Sequence, residues 1–385
     1  MRVLLLPREF PPEWGGLGRV FYDLAVEMTA AGHEVRVVIP QLGQHRGTYY
    51  YAKLDIIGTT RRGNKFLNWV IWLWTVVWQI VQFRPQHVML GGSEPQLFYA
   101  LIGALVPIPV TVMVVGSDVL KAAHGMRNYL TRHLLNHAAH IAAISEYTKS
   151  LTLSLGNYAY KTHVIPIGID LDDYKMSVMP AERASWGIAP EDNVIITVGR
   201  LTPRKGHDVV VHALQGVKYK HAVKYVIVGD GEYRATLEQI AALYEVHENV
   251  IFTGAVTDEQ KIQLYDMADI FVGMSRGEGA EVEGFGIVFL EAAARGLACI
   301  GGNHGGVPEA IGSGGMVIAP DDYERLSKQI DILLRNEQML KTMGARGRER
   351  VYSRFSRQQM ARSYLQLFEL KLAQDVKLET KKRLT

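Results

Sequence analysis

The sequence has only one cysteine and no recognisable export signal. Cys299 cannot form a disulfide within the chain, and the apolar stretch 297–300 around it predicts a buried, small hydrophobic side chain. The stretch Met1 to Leu6 is too short for a secretory signal and is followed at once by a proline-rich loop. These features predict a cytoplasmic protein.

The chain also has no excess of one charge sign. Its 42 Lys and Arg residues nearly match 39 Asp and Glu residues, for a net charge of +3. This balance argues against a dedicated nucleic-acid-binding protein, which needs a basic surface to neutralise phosphates. With 48% hydrophobic residues over 385 positions, the composition is that of a globular protein with two domains.

Signatures of metal-dependent or nucleophilic catalysis do not stand out. The acidic cluster around Asp172 and Asp173 lies in an irregular linker, where a metal site for a nucleotide diphosphate is not expected. His133 and His137 are spaced to share a helix face and to bind zinc, but no third ligand is evident. No Ser-His-Asp or Cys-His set is recognisable. We therefore expect a protein without a metal or other cofactor.

Short apolar segments alternate with helical segments in both halves of the chain. Strands are predicted near 3–6, 34–39, 49–57, 87–90, 110–115 and 140–144, and, after the linker at 164–190, near 194–198, 224–228, 250–252, 269–272, 297–300 and 316–318. Strands that alternate with helices indicate parallel sheets covered by helices on both faces. The predicted fold class is α/β, with two doubly wound, Rossmann-like domains that face a central cleft and bind ligands at the carboxyl ends of strands.

Two carboxylates, Glu283 and Glu291, stand eight residues apart around the loop Gly284-Phe285-Gly286. Residues 287–295 are predicted to form a helix that Gly296 ends, so Glu283 precedes the helix and Glu291 lies about one turn inside it. A helix N-terminus suits oxygen-rich ligands, and a second carboxylate suits a vicinal diol. The pattern predicts a sugar or nucleotide site; a surface carboxylate beside an unrelated helix start is the alternative.

A basic loop, 199–206, follows a predicted strand and precedes a helix. Arg200 offers a planar fork for phosphate oxygens and Lys205 a mobile ammonium, so together they can neutralise a diphosphate. A solvated basic loop is the alternative, and Arg204 is expected to be such a solvated side chain.

A second glycine-rich segment, Gly15-Gly16-Leu17-Gly18, opens a helix in the first half. The long loop before it and the absence of an acidic residue after Ile39-Pro40 oppose a dinucleotide-binding motif. The glycines are predicted to let the backbone approach a phosphate or sugar; a plain turn is the alternative.

The stretch Phe66 to Val81 holds four of the six tryptophans and is apolar nearly all round. It is short for a membrane span and interrupted by Asn68, Thr75 and Gln79, so we predict a helix buried in the first domain. The alternative is a helix face that enters a bilayer, which tryptophan favours. The basic tail 371–385 would then add attraction for anionic lipid, or simply be a solvated terminus.

Together these motifs resemble retaining glycosyltransferases of family 4, which have the GT-B fold. The resemblance covers essentially the whole chain and is strongest over 194–309, where EGFGIVFLE follows GRLTPRKG. The insert 276–282 is similar to the phosphatidylinositol mannosyltransferase branch, which uses GDP-mannose, whereas sister enzymes use UDP-sugars. The resemblance implies an acceptor-binding domain of 1–168, joined by a helix of about 358–385, and a nucleotide-sugar-binding domain of 169–357.

The resemblance also implies a role for each motif. Arg200 and Lys205 would hold the donor diphosphate and stabilise the leaving group, and Glu291 would accept from the ribose hydroxyls. The transferred sugar would be held by Glu283 and by the N–H groups of Gly284, Phe285 and Gly286. From the other domain, Gly15 and Gly16 would close over the phosphates.

One segment departs from the family pattern of His-Gly-x-Asp near the transferred sugar. Here Val115-Gly116-Ser117-Asp118 stands instead, and the valine side chain cannot form hydrogen bonds. Asp118 is expected near the sugar or acceptor, with His124 as a substitute for the missing histidine.

The activity that the resemblance implies is transfer of a hexose, mannose or glucose, from a nucleotide-diphosphate sugar to a lipid-linked or saccharide acceptor. The enzyme would need no metal. From the residues themselves the protein is expected in the cytoplasm, and a tryptophan-rich helix that enters a bilayer would give it peripheral contact with the inner face of an anionic membrane. A phosphorylase or epimerase on the same fold is one alternative. Val115 motivates another, a non-catalytic nucleotide-sugar-binding protein.

Overall fold

The chain folds into two compact units. In the computed structural model, unit 1 comprises Met1–Gly168 and Arg357–Thr385, and unit 2 comprises Ile169–Ser356. The structure describes residues 1–11, 15–42, 47–51, 54–60, 65–103, 106–122, 125–175, 183–218 and 222–383.

Unit 1 is built on an eight-stranded sheet with strand order β3-β4-β2-β1-β5-β6-β7-β8. Its strands are β1 (Arg2–Pro7), β2 (Glu34–Leu42), β3 (Gly47–Tyr51), β4 (Leu54–Thr60), β5 (His87–Gly91), β6 (Val110–Val114), β7 (His140–Ala143) and β8 (Thr162–Val164). Its helices before the linker are α1 (Gly16–Ala30), α2 (Lys65–Phe83), α3 (Ser93–Ala100), α4 (Ser117–Lys121), α5 (Gly125–His137) and α6 (Glu146–Ser154). Apart from Arg2 at the start of β1, the β1, β5 and β6 strands are buried throughout and mostly apolar, as expected for a parallel sheet covered on both faces.

The single strand predicted near 49–57 was wrong. The structure has two strands there, β3 and β4, which pair antiparallel with Tyr49 opposite Ile56. Both arms are rich in β-forming residues, and a continuous run of such residues does not mark where the chain reverses.

Unit 2 contains a six-stranded parallel sheet with strand order β11-β10-β9-β12-β13-β14. Its strands are β9 (Asn193–Val198), β10 (Val223–Val228), β11 (Val250–Gly254), β12 (Ile270–Gly273), β13 (Ala298–Gly302) and β14 (Gly315–Ile318). Its helices are α7 (Leu171–Lys175), α8 (His207–Gly216), α9 (Arg234–Leu243), α10 (Asp258–Asp266), α11 (Ile287–Ala294), α12 (Val307–Ile311), α13 (Tyr323–Leu334) and α14 (Glu337–Arg354). Cys299 is buried in β13, which confirms its prediction as a small core residue.

The last helix, α15 (Arg357–Arg383), returns to unit 1 and packs on α1. Arg357 Nε lies 2.6 Å from Glu27 Oε1, and Gln358 donates to the same oxygen at 3.2 Å. Further along α15, the buried Phe368 ring stacks on His87 with 3.8 Å between ring centroids. The helix is therefore an integral part of unit 1.

The prediction that the tryptophan-rich helix α2 is buried was wrong for half of its surface. Trp72 and Val76 are fully buried, but Trp74 is 68% exposed and Val81 60% exposed. The fold uses only one side of this helix as core, and the other side is apolar and open.

Candidate active site

In the sheet of unit 2, the order in which the chain adds strands reverses between β9 and β12. From β9 the chain moves outward through β10 to β11, and then returns to the other side of β9 to form β12, β13 and β14. In an open parallel sheet, loops leaving two neighbouring strands in opposite directions open a crevice at their carboxyl ends, where ligands bind. The loop after β9 holds Arg200 and Lys205, and the loop after β12 holds Glu283. Both predicted motifs therefore belong to this switch point.

Backbone contacts hold these two loops together. Gly206 has a left-handed φ of +68°, and a Cβ at this position would overlap the carbonyl oxygen of Met274. Two residues earlier, the Arg204 carbonyl accepts a hydrogen bond from the N–H of Arg276 at 2.9 Å. The position after Lys205 therefore requires glycine, because the β9 loop lies directly against the β12 loop.

The loop after β13 adds a third wall. The N–H of Gly306 donates to the carbonyl of Glu283 at 2.9 Å, so this loop supports the backbone that carries the carboxylate. Glycine is also needed at Gly306 because a Cβ there would overlap the carbonyl oxygen of Gly284. The glycine-rich segment after β13 thus fixes the position of Glu283.

The Glu283 carboxylate lies at the centre of a compact charged cluster. Its Oε2 atom is 2.5 Å from Lys205 Nζ, 3.2 Å from Arg204 Nη1 and 3.4 Å from the hydroxyl of Ser275. Burial alone would raise the pKa of Glu283, but the two cations outweigh it and lower that pKa to about 2. Two cations face one carboxylate, so the cluster keeps a net positive charge.

The expectation that Arg204 is a solvated surface side chain was wrong. Its guanidinium binds Glu283, and its side chain is only 20% exposed. Sequence reasoning missed this residue and Ser275, although Arg204 is adjacent to a residue that was singled out. The missing information was the close approach of two loops some 79 residues apart in sequence.

Arg200 lies at the end of β9 and is exposed. No carboxylate among the described residues forms an ion pair with its guanidinium. The side chain is therefore available for a ligand, unlike Lys205, which is already paired.

Glu291 lies on α11, one turn after the loop that carries Glu283, as the spacing predicted. It is buried, and both carboxylate oxygens accept from protein groups: Lys261 Nζ at 3.1 Å and the Tyr265 hydroxyl at 3.0 Å. Burial alone would lower the pKa of Lys261, but Glu291 and Asp258 outweigh it and raise that pKa. Burial and the Glu291 charge also raise the pKa of Tyr265 well above its ordinary value.

Lys261 and Tyr265 were not predicted as site residues. They stand four residues apart on α10, a spacing that puts them on one helix face, but only the fold shows that this face meets Glu291. Each carboxylate oxygen has two lone pairs, so Glu291 can accept further hydrogen bonds while Lys261 and Tyr265 fix its orientation.

The N-terminus of α11 has no side-chain cap. Gly286 at the N-cap has a φ of +97°, a left-handed conformation that favours glycine. The Phe285 side chain is buried and packs near Phe355, so this residue offers only its backbone to a ligand. The Gly284-Phe285-Gly286 segment is thus a backbone turn at the positive end of a helix dipole, next to the Glu283 cluster.

The remaining predicted residues belong to unit 1. Gly15 is the N-cap of α1, Gly16 is exposed, and the Glu9 carboxylate packs directly on Gly15. Asp118 is buried: its Oδ1 accepts from three backbone N–H groups, of Val115, Gly116 and Val119, and its Oδ2 from Gln96. These contacts give Asp118 a role in holding the loop after β6, and burial raises its pKa. His124 lies outside the described residues.

Among the residues that the structure describes, no group of three or more His, Cys, Asp or Glu side chains is arranged to hold a metal ion. The rings of His133 and His137 lie 4.4 Å apart on α5, as their spacing predicted, without a third ligand in the described part of the chain.

Family comparisons match both halves of the chain. The family described as "Glycosyltransferase Family 4" matches residues 14–173, and "Glycosyl transferases group 1" matches residues 178–350. A GDP-mannose-dependent alpha-(1-6)-phosphatidylinositol monomannoside mannosyltransferase of Mycobacterium tuberculosis is 28% identical over 381 residues, 90% of this chain and 93% of the relative. A GDP-mannose-dependent monoacylated alpha-(1-6)-phosphatidylinositol monomannoside mannosyltransferase of Corynebacterium glutamicum is 34% identical over 221 residues, 55% of this chain and 57% of that protein.

Solved structures share the fold over nearly the whole chain. The sucrose-phosphate synthase of Thermosynechococcus elongatus has a TM-score of 0.83 with 19% identity, and the match covers 97% of this chain and 99% of that one. This likeness confirms the predicted fold of two Rossmann-like domains of the GT-B type.

Proposed function

Because the chain belongs to the family 4 glycosyltransferases and is a hexosyltransferase that uses a nucleotide sugar, we propose that it transfers mannose or glucose with retention of anomeric configuration. The acceptor in this proposal is lipid-linked or a saccharide. The observation that carries the proposal is the Glu283 cluster at the switch point of unit 2, where two cations surround one carboxylate.

In the proposed donor complex, the diphosphate takes up the excess positive charge of this cluster. Arg200 is free to bind phosphate oxygens bidentately, and Lys205 exchanges its contact with Glu283 for one with the diphosphate. Glu283 then accepts hydrogen bonds from the hydroxyls of the transferred sugar, and the backbone of Gly284 to Gly286 approaches the same sugar. Glu291, oriented by Lys261 and Tyr265, receives the ribose hydroxyls.

The proposed chemical step breaks the bond between the anomeric carbon and the diphosphate oxygen. A bond to the acceptor oxygen forms on the same face of the sugar, and the acceptor proton passes to the departing diphosphate. No side chain acts as nucleophile, so the protein contributes positioning and stabilisation of the leaving-group charge by Arg200 and Lys205.

GDP-mannose is the favoured donor, because the mannosyltransferases that match this chain are named as GDP-mannose-dependent. UDP-glucose is the alternative. In this proposal Arg200, Lys205 and Glu283 bind only the diphosphate and the sugar. They therefore do not distinguish one nucleotide base from another.

A donor panel tests this proposal. The protein is incubated with GDP-mannose, UDP-glucose or ADP-glucose and with phosphatidylinositol or simple saccharides, and release of nucleoside diphosphate and glycosylated product is measured. The expected result is transfer from one donor, with the product in the donor's anomeric configuration by NMR. Sugar-1-phosphate formed from inorganic phosphate would instead indicate a phosphorylase, and nucleotide binding without any transfer would indicate a binding protein.

A further inference from the structure

Helix α2 of unit 1 is apolar on its outer side as well as on its inner side. Two of its polar residues, Asn68 and Gln79, face inward and are buried; Gln79 is only 8% exposed and accepts a hydrogen bond from Arg36 at 2.8 Å. Its outward face is apolar and consists of Phe66, Leu67, Val70, Trp74, Val77, Trp78 and Val81, each at least 40% exposed. A surface helix in water carries polar side chains on its outward face.

These seven residues, called here the α2 apolar face, form one continuous stripe. At 100° per residue they fall within about a third of the helix circumference. The indole rings of Trp74 and Trp78 stack on this stripe, with 5.8 Å between their centroids and 6° between their planes. The stripe runs from Phe66 to Val81 of this 19-residue helix, which makes it far more extensive than an isolated exposed side chain.

The charged residues next to α2 in sequence are all basic. Residues 66–83 include no charged side chain, and the segment 61–84 contains four basic residues, Arg61, Arg62, Lys65 and Arg84, and no acidic one. Arg84 is exposed at the C-terminal end of the helix, and its carbonyl accepts a hydrogen bond from Arg2, a fifth basic residue. An uncharged apolar stripe next to these two basic residues complements an anionic lipid surface.

The fold excludes a membrane-spanning role for α2, although its length and composition are sufficient for one. The chain enters α2 from β4 and leaves it into β5, and both strands belong to the same sheet. Trp72 and Val76 on its inner side are fully buried in the core of unit 1. The helix is therefore held against the core of unit 1 along its inner side, and only its outer face is available to a bilayer.

We propose that the α2 apolar face is a membrane-docking site that inserts into the interface of an anionic bilayer. The Phe66, Trp74 and Val81 side chains enter the boundary between headgroups and acyl chains, where tryptophan is favoured. Arg84 and Arg2, at the C-terminal end of the helix, contact anionic headgroups. This proposal is independent of the donor and of the reaction, but it places unit 1 at the surface where a lipid-linked acceptor would be found.

Vesicle flotation tests the proposal with the full chain. The protein is mixed with phosphatidylcholine vesicles, with or without phosphatidylglycerol, at low and moderate salt. We expect co-flotation with the vesicles that contain phosphatidylglycerol, reduced at moderate salt because screening weakens the contribution of the basic residues. Absence of co-flotation with these vesicles at both salt concentrations would overturn the proposal.

Substitutions on the α2 apolar face distinguish docking through this face from nonspecific binding of exposed apolar side chains to vesicles. The double variant Trp74→Gln/Trp78→Gln should bind phosphatidylglycerol-containing vesicles about tenfold more weakly or worse, because two large apolar side chains no longer enter the lipid. The matched control is Leu243→Gln/Ile332→Gln, which changes two exposed apolar residues of unit 2, 74% and 47% exposed, and should bind as the wild type does. Equal loss of vesicle binding in both double variants would contradict the assignment. Undiminished vesicle binding in both would contradict it as well.

The charged ends give a second, independent readout. Arg84→Gln should weaken binding to phosphatidylglycerol-containing vesicles and leave any binding to pure phosphatidylcholine unchanged. Light scattering in solution tests the competing occupant, a second copy of the chain. A dimer that the Trp74→Gln/Trp78→Gln substitution dissociates would show that the face is a protein interface and would overturn the proposal, whereas a wild-type monomer supports it.

Discussion

Lys205 and Glu283 form an ion pair, and this pairing sets the electrostatics of the site. The carboxylate holds the ammonium in position, and Arg204 adds a second positive charge to the same oxygen. In the proposed donor complex, a diphosphate meets this net positive cluster and Glu283 becomes available to a sugar hydroxyl. In that proposal the pair links donor binding to recognition of the transferred sugar.

Replacing Lys205 by alanine should lower kcat/KM by roughly a hundredfold to a thousandfold, equivalent to about 2.7–4 kcal/mol of barrier, because a charge-stabilising donor to the leaving group is lost. Steady-state kinetics with the donor identified in the panel measure the effect. Lys218→Ala, which removes an exposed lysine of the same unit, is the control and should leave turnover unchanged. Wild-type turnover in the Lys205 variant would mean that this ammonium has no part in catalysis.

Buried histidines should make the protein sensitive to acid. Burial, with a smaller contribution from His140, lowers the pKa of His87 to about 3, and burial with the nearby Lys205 lowers that of His207 to about 4. In the unfolded chain both take up protons below about pH 6.5, whereas the folded protein does not. The free energy of unfolding should therefore fall as the pH drops from about 6.5 to 4, by about 1.4 kcal/mol per pH unit for each histidine.

Urea unfolding at several pH values between 7 and 5 measures this dependence. His207→Gln should flatten the pH dependence by one histidine's contribution, and the exposed His247→Gln should not change it. Parallel pH profiles for the wild type and the His207 variant would contradict the explanation.

At the scale of elements, the order of strands and helices could largely be predicted from the sequence, because hydrophobic periodicity is a local property. The reversal between β3 and β4 and the open side of α2 could not. Strand pairing and the side of a helix that meets the sheet are decided by contacts distant in sequence. For the same reason the spacing of Glu283 and Glu291 predicted that Glu283 precedes α11 and that Glu291 lies on it, but not their partners Arg204, Lys261 and Tyr265.

The contact between the β9 and β12 loops predicts an unequal effect of two similar substitutions. Gly206 and Gly187 both have a φ of +68°, but a Cβ would overlap a carbonyl oxygen only at Gly206 and meets nothing within 4 Å at Gly187. In each alanine variant the free energy of unfolding should fall by about 1–2 kcal/mol because of backbone strain. In Gly206→Ala it should fall by roughly 1–3 kcal/mol more, because the added Cβ forces the two loops apart.

Urea unfolding of both variants measures this difference, and donor binding gives a second readout. Gly206→Ala should also weaken nucleotide binding, since Lys205 is the neighbouring residue, whereas Gly187→Ala should not. Equal stability and equal affinity of the two variants would show that the loop contact is not tight.

At the scale of the whole molecule, the chain consists of two Rossmann-like units with different properties. Unit 2 holds the basic cluster at its switch point, which is suited to a diphosphate. Unit 1 presents the α2 apolar face and contains Asp118, whose carboxylate holds the loop that begins with Val115. We propose that unit 2 binds the donor and unit 1 the acceptor, in line with the division that the sequence resemblance implies.

Calorimetric titration of nucleoside diphosphates tests the central claim, that Arg200 and Lys205 of unit 2 bind the donor diphosphate. GDP, UDP and ADP are titrated into the wild type, the Arg200→Ala/Lys205→Ala double variant and the Lys218→Ala control. The account predicts that at least one diphosphate binds the wild type and the control equally, and that the double variant binds it roughly a hundredfold more weakly, because two charged hydrogen-bond donors are lost. Undiminished affinity in the double variant, or no binding of any of the three diphosphates to the wild type, would contradict it.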